Sequence, residues 1–284
     1  MSAYGIPDQT GRTMIVTGGS SGIGKVVATA LAARGARVVI GVRDVERGRA
    51  AAAAMPGHVD VRRLDLGSLA SIRAFADGID MPVDVLINNA GAMSPGLEHT
   101  TDGFERQFGV NHLGPFALST LLLDRITDRV VSTGSSAHRK ADLDLDDLAW
   151  ERRTYAPFAA YGQSKLAVLL FTAELQRRLE AAGSTVIATA ADPGWVRTGF
   201  AVSTGSGLGD AMFRLGTRLM ARGPERGALP TVHAALGEVT GGSYIGPRLM
   251  GLYGTPGPIA RSSRALDADL ARSLWETSAR LTAA

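Results

Sequence analysis

At 284 residues, 45% of them hydrophobic, the chain is long enough for one large α/β domain with a sizeable core, or for two small ones. It contains no cysteine, which excludes disulfides, a thiol nucleophile and a cysteine-based metal site. The 30 basic and 27 acidic residues leave a net charge of +3, with no basic block and no aromatics interleaved with one, which argues against a nucleic-acid partner.

The N-terminus does not read as a signal peptide, and no apolar run approaches the ~20 residues that span a bilayer. A soluble cytoplasmic protein is therefore expected. Lysine occurs only at Lys25, Lys140 and Lys165, and this bias toward arginine and alanine fits a GC-rich bacterial genome.

In chain order, residues 12–16 form a short apolar strand that runs into Thr17-Gly-Gly-Ser-Ser-Gly-Ile-Gly24 and a helix from Lys25 to Arg34. A second strand, 36–40, completes a β-α-β unit, which implies a parallel sheet with right-handed crossovers. Glycines at this place let the backbone turn tightly and approach a pyrophosphate, and the helix that starts there favours the phosphates. Gly18, Ser20, Ser21, Gly22, Ile23 and Gly24 are thus candidate cofactor residues. Where an acid would hold the adenosine ribose, the second strand ends in Gly41-Val42-Arg43. Arginine suits a ribose 2′-phosphate, so NADP is preferred over NAD, with Asp44 next door keeping NAD open.

Further on come a helix over 45–55, a strand over 59–64 ending at Asp65 and Leu66, where adenine would lie, and a helix capped by Ser68. A fourth strand, 83–87, runs into Asn88-Asn89-Ala90-Gly91, small residues at a strand end where ligands of open α/β sheets bind. Residues 101–124 read as one long helix containing Asn111. Asparagine is a poor helix former, so a local break there would free either its side chain or a backbone carbonyl. The fifth strand, 129–133, ends in Gly134-Ser135-Ser136-Ala137-His138.

Residues 139–157 read as a loop with a short helix. Its acids, Asp142, Asp144, Asp146 and Asp147, fit a solvated face better than a calcium loop. No metal is expected, since His58, His99, His112 and His233 have no ligand partners at metal spacing. Trp150 and Trp195 fit either pocket lining or packing. Tyr161-Gly-Gln-Ser-Lys165 then places a phenol and an ammonium on one face of a long helix. An ammonium beside a phenol favours the phenolate, so the tyrosine is expected to titrate below its usual ~10 and to exchange protons with a carbonyl or alcohol oxygen. A sixth strand, 184–189, leads to Asp192-Pro193-Gly194. Residues 199–223 have the composition of a lid, 224–236 form a helix, Gly242–Ile245 a late strand, and 267–281 a final amphipathic helix. With no repeat and no linker, residues 1–284 read as a single domain: a Rossmann-type doubly wound parallel sheet of about seven strands flanked by helices.

Taken together, Thr17-Gly-x-x-x-Gly-Ile-Gly24, Asn88-Asn-Ala-Gly91, Asn111 within Val-Asn-His, Ser135, Tyr161-x-x-x-Lys165 and Pro193-Gly194 resemble the short-chain dehydrogenase/reductase family over essentially the full length. Val-Arg-Asp after the second strand, Val-Asn-His-Leu-Gly and Ser-x-Ala-His resemble its retinol-dehydrogenase-like branch, a statement about sequence and not about substrate. The resemblance implies an NADP-dependent oxidoreductase for an apolar alcohol, aldehyde or ketone. Tyr161 would be the acid/base, and Lys165 would tune it and hold the nicotinamide ribose. Ser135, with Ser136 as rival, would bind the substrate oxygen, and Asn111 would complete a proton relay. Pro193, Gly194, Val196 and Thr198 would meet the nicotinamide end, as Asn89, Ala90 and Gly91 would meet the cofactor. Pairing into a homodimer or homotetramer through helices 101–124 and 157–181 is also implied. A lyase or epimerase using the same cofactor without net turnover, and a regulator that only senses it, stay open.

Overall fold

The computed structural model describes residues 5–194, 223–249 and 253–283. Its first half alternates strand and helix: β1 (Thr13–Thr17), α1 (Gly22–Ala32), β2 (Arg37–Val42), α2 (Val45–Ala52), β3 (His58–Arg63), α3 (Leu69–Asp77) and β4 (Val83–Asn88). β1, β2 and β4 are apolar on both sides, as strands covered on both faces require, while β3 at the sheet edge is mixed, His-Val-Asp-Val-Arg-Arg. Alternation then sorts the residues. Met14, Val16, Val38, Ile40, Val85 and Ile87 enter the core under α1, whereas Ile15, Val39, Leu86 and Val130 enter the opposite one. The strands form one eight-stranded sheet in the order β3-β2-β1-β4-β5-β6-β7-β8. All pairs are parallel except β7 with β8. The order reverses between β1 and β4, and at such a switch point a crevice opens beyond the C-terminal strand ends.

The sheet has one strand more than the expected seven. β7 (Tyr244–Leu249) returns antiparallel as β8 (Tyr253–Pro258). Pro256 and Pro258 make that stretch read as loop, and proline is tolerated at an edge because an edge strand need not donate on its open side.

The expected long helix over 101–124 is broken. Residues His99 and Glu105 pair across an antiparallel bridge. Glu105 then caps α4 (Arg106–Phe108), accepting from the amides of Gln107 at 2.9 Å and Phe108 at 2.7 Å. Residues Gly109–Leu113 follow as a π-turn, with the Gly114 amide donating back to Gly109 O, before α5 (Gly114–Leu122) begins. Such single π-turns recur at functional sites. β5 (Ile126–Thr133), α6 (Pro157–Ala181), β6 (Ile187–Ala191), α7 (Pro224–Leu236) and α8 (Ala268–Thr282) complete the regular elements described.

α8 lies along α6 and touches α5 and the π-turn. Trp275 stacks on Phe171 at 5.9 Å, meets Phe116 edge-on at 4.9 Å and carries the Arg178 guanidinium 4.4 Å from its centroid. The helices expected to pair two subunits therefore carry α8 on part of their surface. Beneath it, buried His112 meets Ser278 Oγ through Nε2 at 2.8 Å and lies among Phe108, Phe116 and Phe171.

Burial pushes His112 from its ordinary value down to about 3. The folded protein thus binds its proton later than the unfolded chain does. That contribution to stability is complete above pH ~6.5 and lost as pH falls toward 3. Urea denaturation should show stability falling by about 1.4 kcal/mol per pH unit across this window from this one group. His112→Gln should remove that component of the slope; an unchanged slope would show that His112 is not buried neutral.

Residues 141–156 hold no regular helix. Asp147, expected to be solvated, is buried: it accepts from the Glu151 amide at 2.7 Å and pairs with Arg153 at 3.2 Å. Trp150 takes the packing role, with φ of +62° and the Arg153 guanidinium 3.9 Å from its ring centroid. Its sequence neighbours gave no sign of this, because Arg153 and Tyr155 reach the ring only once the irregular loop turns on itself.

Candidate active site

The glycine loop leaves β1 with Gly18 at φ +71° and Gly22 at φ +54°, backbone that side chains with a Cβ rarely adopt. A Cβ at Gly24 would collide with the Asn89 side-chain amide and the Gly18 carbonyl. Loop and β4 are thereby packed without room between them. Thr17, a part of the motif with no role assigned from sequence, makes the join: its Oγ1 accepts from the amides of Asn89 and Ala90, both at 3.0 Å. Asn89 Nδ2 returns a hydrogen bond to Thr17 O at 2.9 Å. Ser21 starts α1 in an extended conformation without a side-chain cap, so the first amides of α1 are left for another acceptor. Ser20 is half-buried and Ser21 exposed, while Ile23 anchors the loop in the core.

At the end of β2, Arg43 is exposed and has no ion-pair partner among the described residues. Asp44 is occupied as the cap of α2, accepting from the Arg47 amide at 3.0 Å. Asp65 turns inward on its own loop, accepting from the Gly67 amide at 2.9 Å. Leu66 is buried in the core. Any contact of Leu66 with adenine is therefore left to its backbone.

The second half of the site gathers four residues from three separate parts of the fold: Tyr161 and Lys165 of α6, Ser135 after β5 and Asn111 of the π-turn. Lys165 is buried and donates through Nζ to Thr133 O at 2.7 Å, with Nζ 5.7 Å from the Tyr161 ring centroid. The Ser135 side chain lies close enough to the Tyr161 hydroxyl to favour its ionised form. Ser135 starts a 3-10 turn (Ser136–Lys140), and its Oγ accepts from the Ala137 amide at 3.3 Å. Ser136 is exposed on that turn, so the geometry favours Ser135 of the two serines. Asn111 lies in the π-turn. Its Oδ1 accepts from the Ala92 amide at 2.6 Å, and its Nδ2 donates to Ala92 O and to Ser164 Oγ, both at 2.9 Å. The side chain is thus fully engaged, so the break does not free it. Gly91 keeps the floor open between the two: a Cβ there would come 3.1 Å from Asn111 Oδ1 and 3.9 Å from Lys165 Nζ.

The expected lowering of the tyrosine is reversed. Burial pushes Tyr161 up to about 12, and the nearby Ser135 side chain only partly opposes this. Burial likewise pulls Lys165 down to about 8. The ammonium is engaged with a carbonyl instead of the phenol, so desolvation outweighs the attraction inferred from spacing alone. Pro193 and Gly194 follow β6, with the Gly194 amide donating to Asp192 Oδ1 at 2.8 Å. Val196, Thr198, Trp195 and residues 199–222 of the expected lid lie outside the described residues. Among the described residues no group of three or more His, Asp or Glu is placed to hold a metal, and no helix is long and apolar enough to cross a membrane.

A doubly wound sheet, glycine-lined at its switch point and flanked by this Tyr-Lys-Ser-Asn cluster, defines a dinucleotide-binding α/β class. Residues 12–145 match the family model described as short chain dehydrogenase. Human retinol dehydrogenase 13 is 43% identical over 290 residues, covering 95% of this chain and 84% of that one. Mouse polyprenol dehydrogenase is 39% identical over 295 residues, covering 98% and 86%. A crystal structure of a protein from Mycobacterium paratuberculosis superposes with a TM-score of 0.86 at 48% identity, covering 98% and 96%. The chain belongs to the short-chain dehydrogenase/reductase family of oxidoreductases, in its retinol-dehydrogenase-like branch.

Proposed function

We propose that this protein, acting as one catalytic unit, transfers hydride between NADP(H) and an apolar primary alcohol or its aldehyde, with ketones as a wider class. The observation that carries the reading is the junction of Ser135, Tyr161 and buried Lys165 beside the glycine-lined crevice. When bound, the cofactor supplies the hydride chemistry. Tyr161 holds a proton at its hydroxyl and gives it to the substrate oxygen in reduction; Ser135 hydrogen-bonds the same oxygen. Lys165 spends one donor on Thr133 O, leaving two for the nicotinamide ribose hydroxyls. Asn111 fixes Ala92 and Ser164 and so holds the turn from which a water can relay protons to Lys165. The names of the two curated relatives concern retinol and a polyprenol, long apolar primary alcohols, which supports this substrate class.

Arg43, exposed and with no ion-pair partner among the described residues, beside the cap Asp44, supports NADP over NAD. A charge-assisted bond to a 2′-phosphate is worth about 1.5–3 kcal/mol. Arg43→Ala should therefore weaken NADPH binding about 10- to 100-fold in a fluorescence titration and leave NADH nearly unchanged. Equal weakening of both would remove the phosphate role.

The reading is tested by incubating the protein with NADPH and a panel of long-chain and isoprenoid aldehydes. Stoichiometric NADPH oxidation with alcohol formation is expected. Substrate conversion with cofactor left unconsumed would overturn it in favour of lyase or epimerase chemistry, and cofactor binding without conversion of any member would favour a sensor.

A further inference from the structure

We propose that Asp192, locked by Tyr244, is the buried counter-charge of Lys165 and acts as a positioning residue for the reaction. The catalytic consequence rests on the role proposed for Lys165; the placement stands on geometry alone.

Lys165 binds Thr133 O, and Thr133 is paired in register with Ala191 of β6. The next amide, Gly134 N, donates to Ala191 O at 2.8 Å. Asp192 is the residue after Ala191, and its own amide donates to Ile245 O of β7 at 2.7 Å. Its carboxylate thus lies at the strand ends between β5 and β7, next to the strand that holds Lys165. Both oxygens are acceptors: Oδ2 takes the Tyr244 hydroxyl at 2.7 Å and Oδ1 the Gly194 amide at 2.8 Å. Asp192, Tyr244 and Lys165 are 3%, 2% and 4% exposed, so water screens none of them. No cation lies within ion-pair distance of Asp192 among the described residues. Its charge acts on Lys165 through the field and not by contact.

The Tyr244 ring in turn underlies Gly134, where a Cβ would come 2.8 Å from its edge. The ring also meets His138 in a T-shaped contact, centroids 5.5 Å apart. His138 Nδ1 donates to Ser135 O at 2.7 Å, so its Nε2 is the acceptor for the Ser262 amide at 3.2 Å, and the imidazole is neutral. The titratable groups facing the pair are Tyr161, Tyr244 and His138, with Arg139 and Arg261 acting on His138 beyond them. Of the influences on Lys165, burial disfavours its charge and Asp192 favours it.

The direct test needs neither substrate nor cofactor, so it stands or falls separately from the proposed function. Only three lysines are present. Protein labelled with 13Cε-lysine therefore gives three signals, two of them assigned by the Lys25→Arg and Lys140→Arg variants. In Asp192→Asn the Lys165 midpoint should fall by about one pH unit, the lower end of what an opposite charge near a buried group supplies. Tyr244→Phe, which keeps the carboxylate, should move it much less. An unchanged or raised midpoint in Asp192→Asn overturns the proposal. If that variant does not fold, 13C-aspartate labelling of the wild-type protein replaces it: the Asp192 carboxyl signal must inflect where Lys165 titrates, and a flat signal overturns the proposal equally. In turnover, the alkaline limb of the pH profile should move down with the midpoint, which a purely structural role would not produce.

Discussion

Tyr161→Phe is expected to reduce turnover by about 10²–10⁴-fold while NADPH still binds, because it removes only the proton donor. The sign of the pH dependence follows from burial, which pushes the phenol up to about 12. Through the neutral range Tyr161 keeps its proton, so it enters carbonyl reduction in the form that reaction needs. Oxidation of an alcohol requires the phenolate and should gain rate as pH rises. A Tyr161→Phe protein with rates within threefold of wild type would remove the hydroxyl from the mechanism and leave Ser135 as the principal partner of the substrate oxygen. Measuring kcat and NADPH affinity together separates this loss from a collapsed crevice.

The second large effect is on stability. Trp275→Ala should destabilise the protein by about 3 kcal/mol, the low end for a large aromatic removed from a core, since this side chain is only partly buried. It loses the stack on Phe171, the edge contact with Phe116 and the guanidinium of Arg178 together. The loss should propagate, because α8 also reaches His112 through Ser278, next to Asn111 in the π-turn. Turnover in the folded variant should therefore drop as well. Sedimentation of the same variant shows whether loosening α8 alters self-association through α5 and α6. A loss of stability below 1 kcal/mol would mean that α8 is not held by this contact.

What was legible in the sequence was local. The glycine loop, Ser68 as a cap and the boundaries of the α6 and α7 helices depend on residues a few positions apart, and they lie where the pattern puts them. The break at Asn111 was legible as a conflict between a poor helix former and its setting. What failed was non-local. The Tyr161 titration turned on burial, which spacing does not encode. Asp192 and Tyr244 meet across 52 positions. Asp147 is the exception, buried against Glu151 and Arg153 of its own loop, where no periodic pattern shows the chain turning on itself. β8 was hidden by prolines that only an edge strand accommodates.

The most direct test of the central claim is a fluorescence titration of the purified protein with NADPH and with NADH. The account predicts saturable NADPH binding that is at least tenfold tighter than NADH binding, as expected of a phosphate-reading Arg43. Tighter NADH would contradict the phosphate assignment and redirect the search to NAD-linked alcohol oxidation. Binding of neither would contradict the glycine-loop reading itself, and with it the roles proposed for Tyr161, Lys165, Ser135 and Asn111.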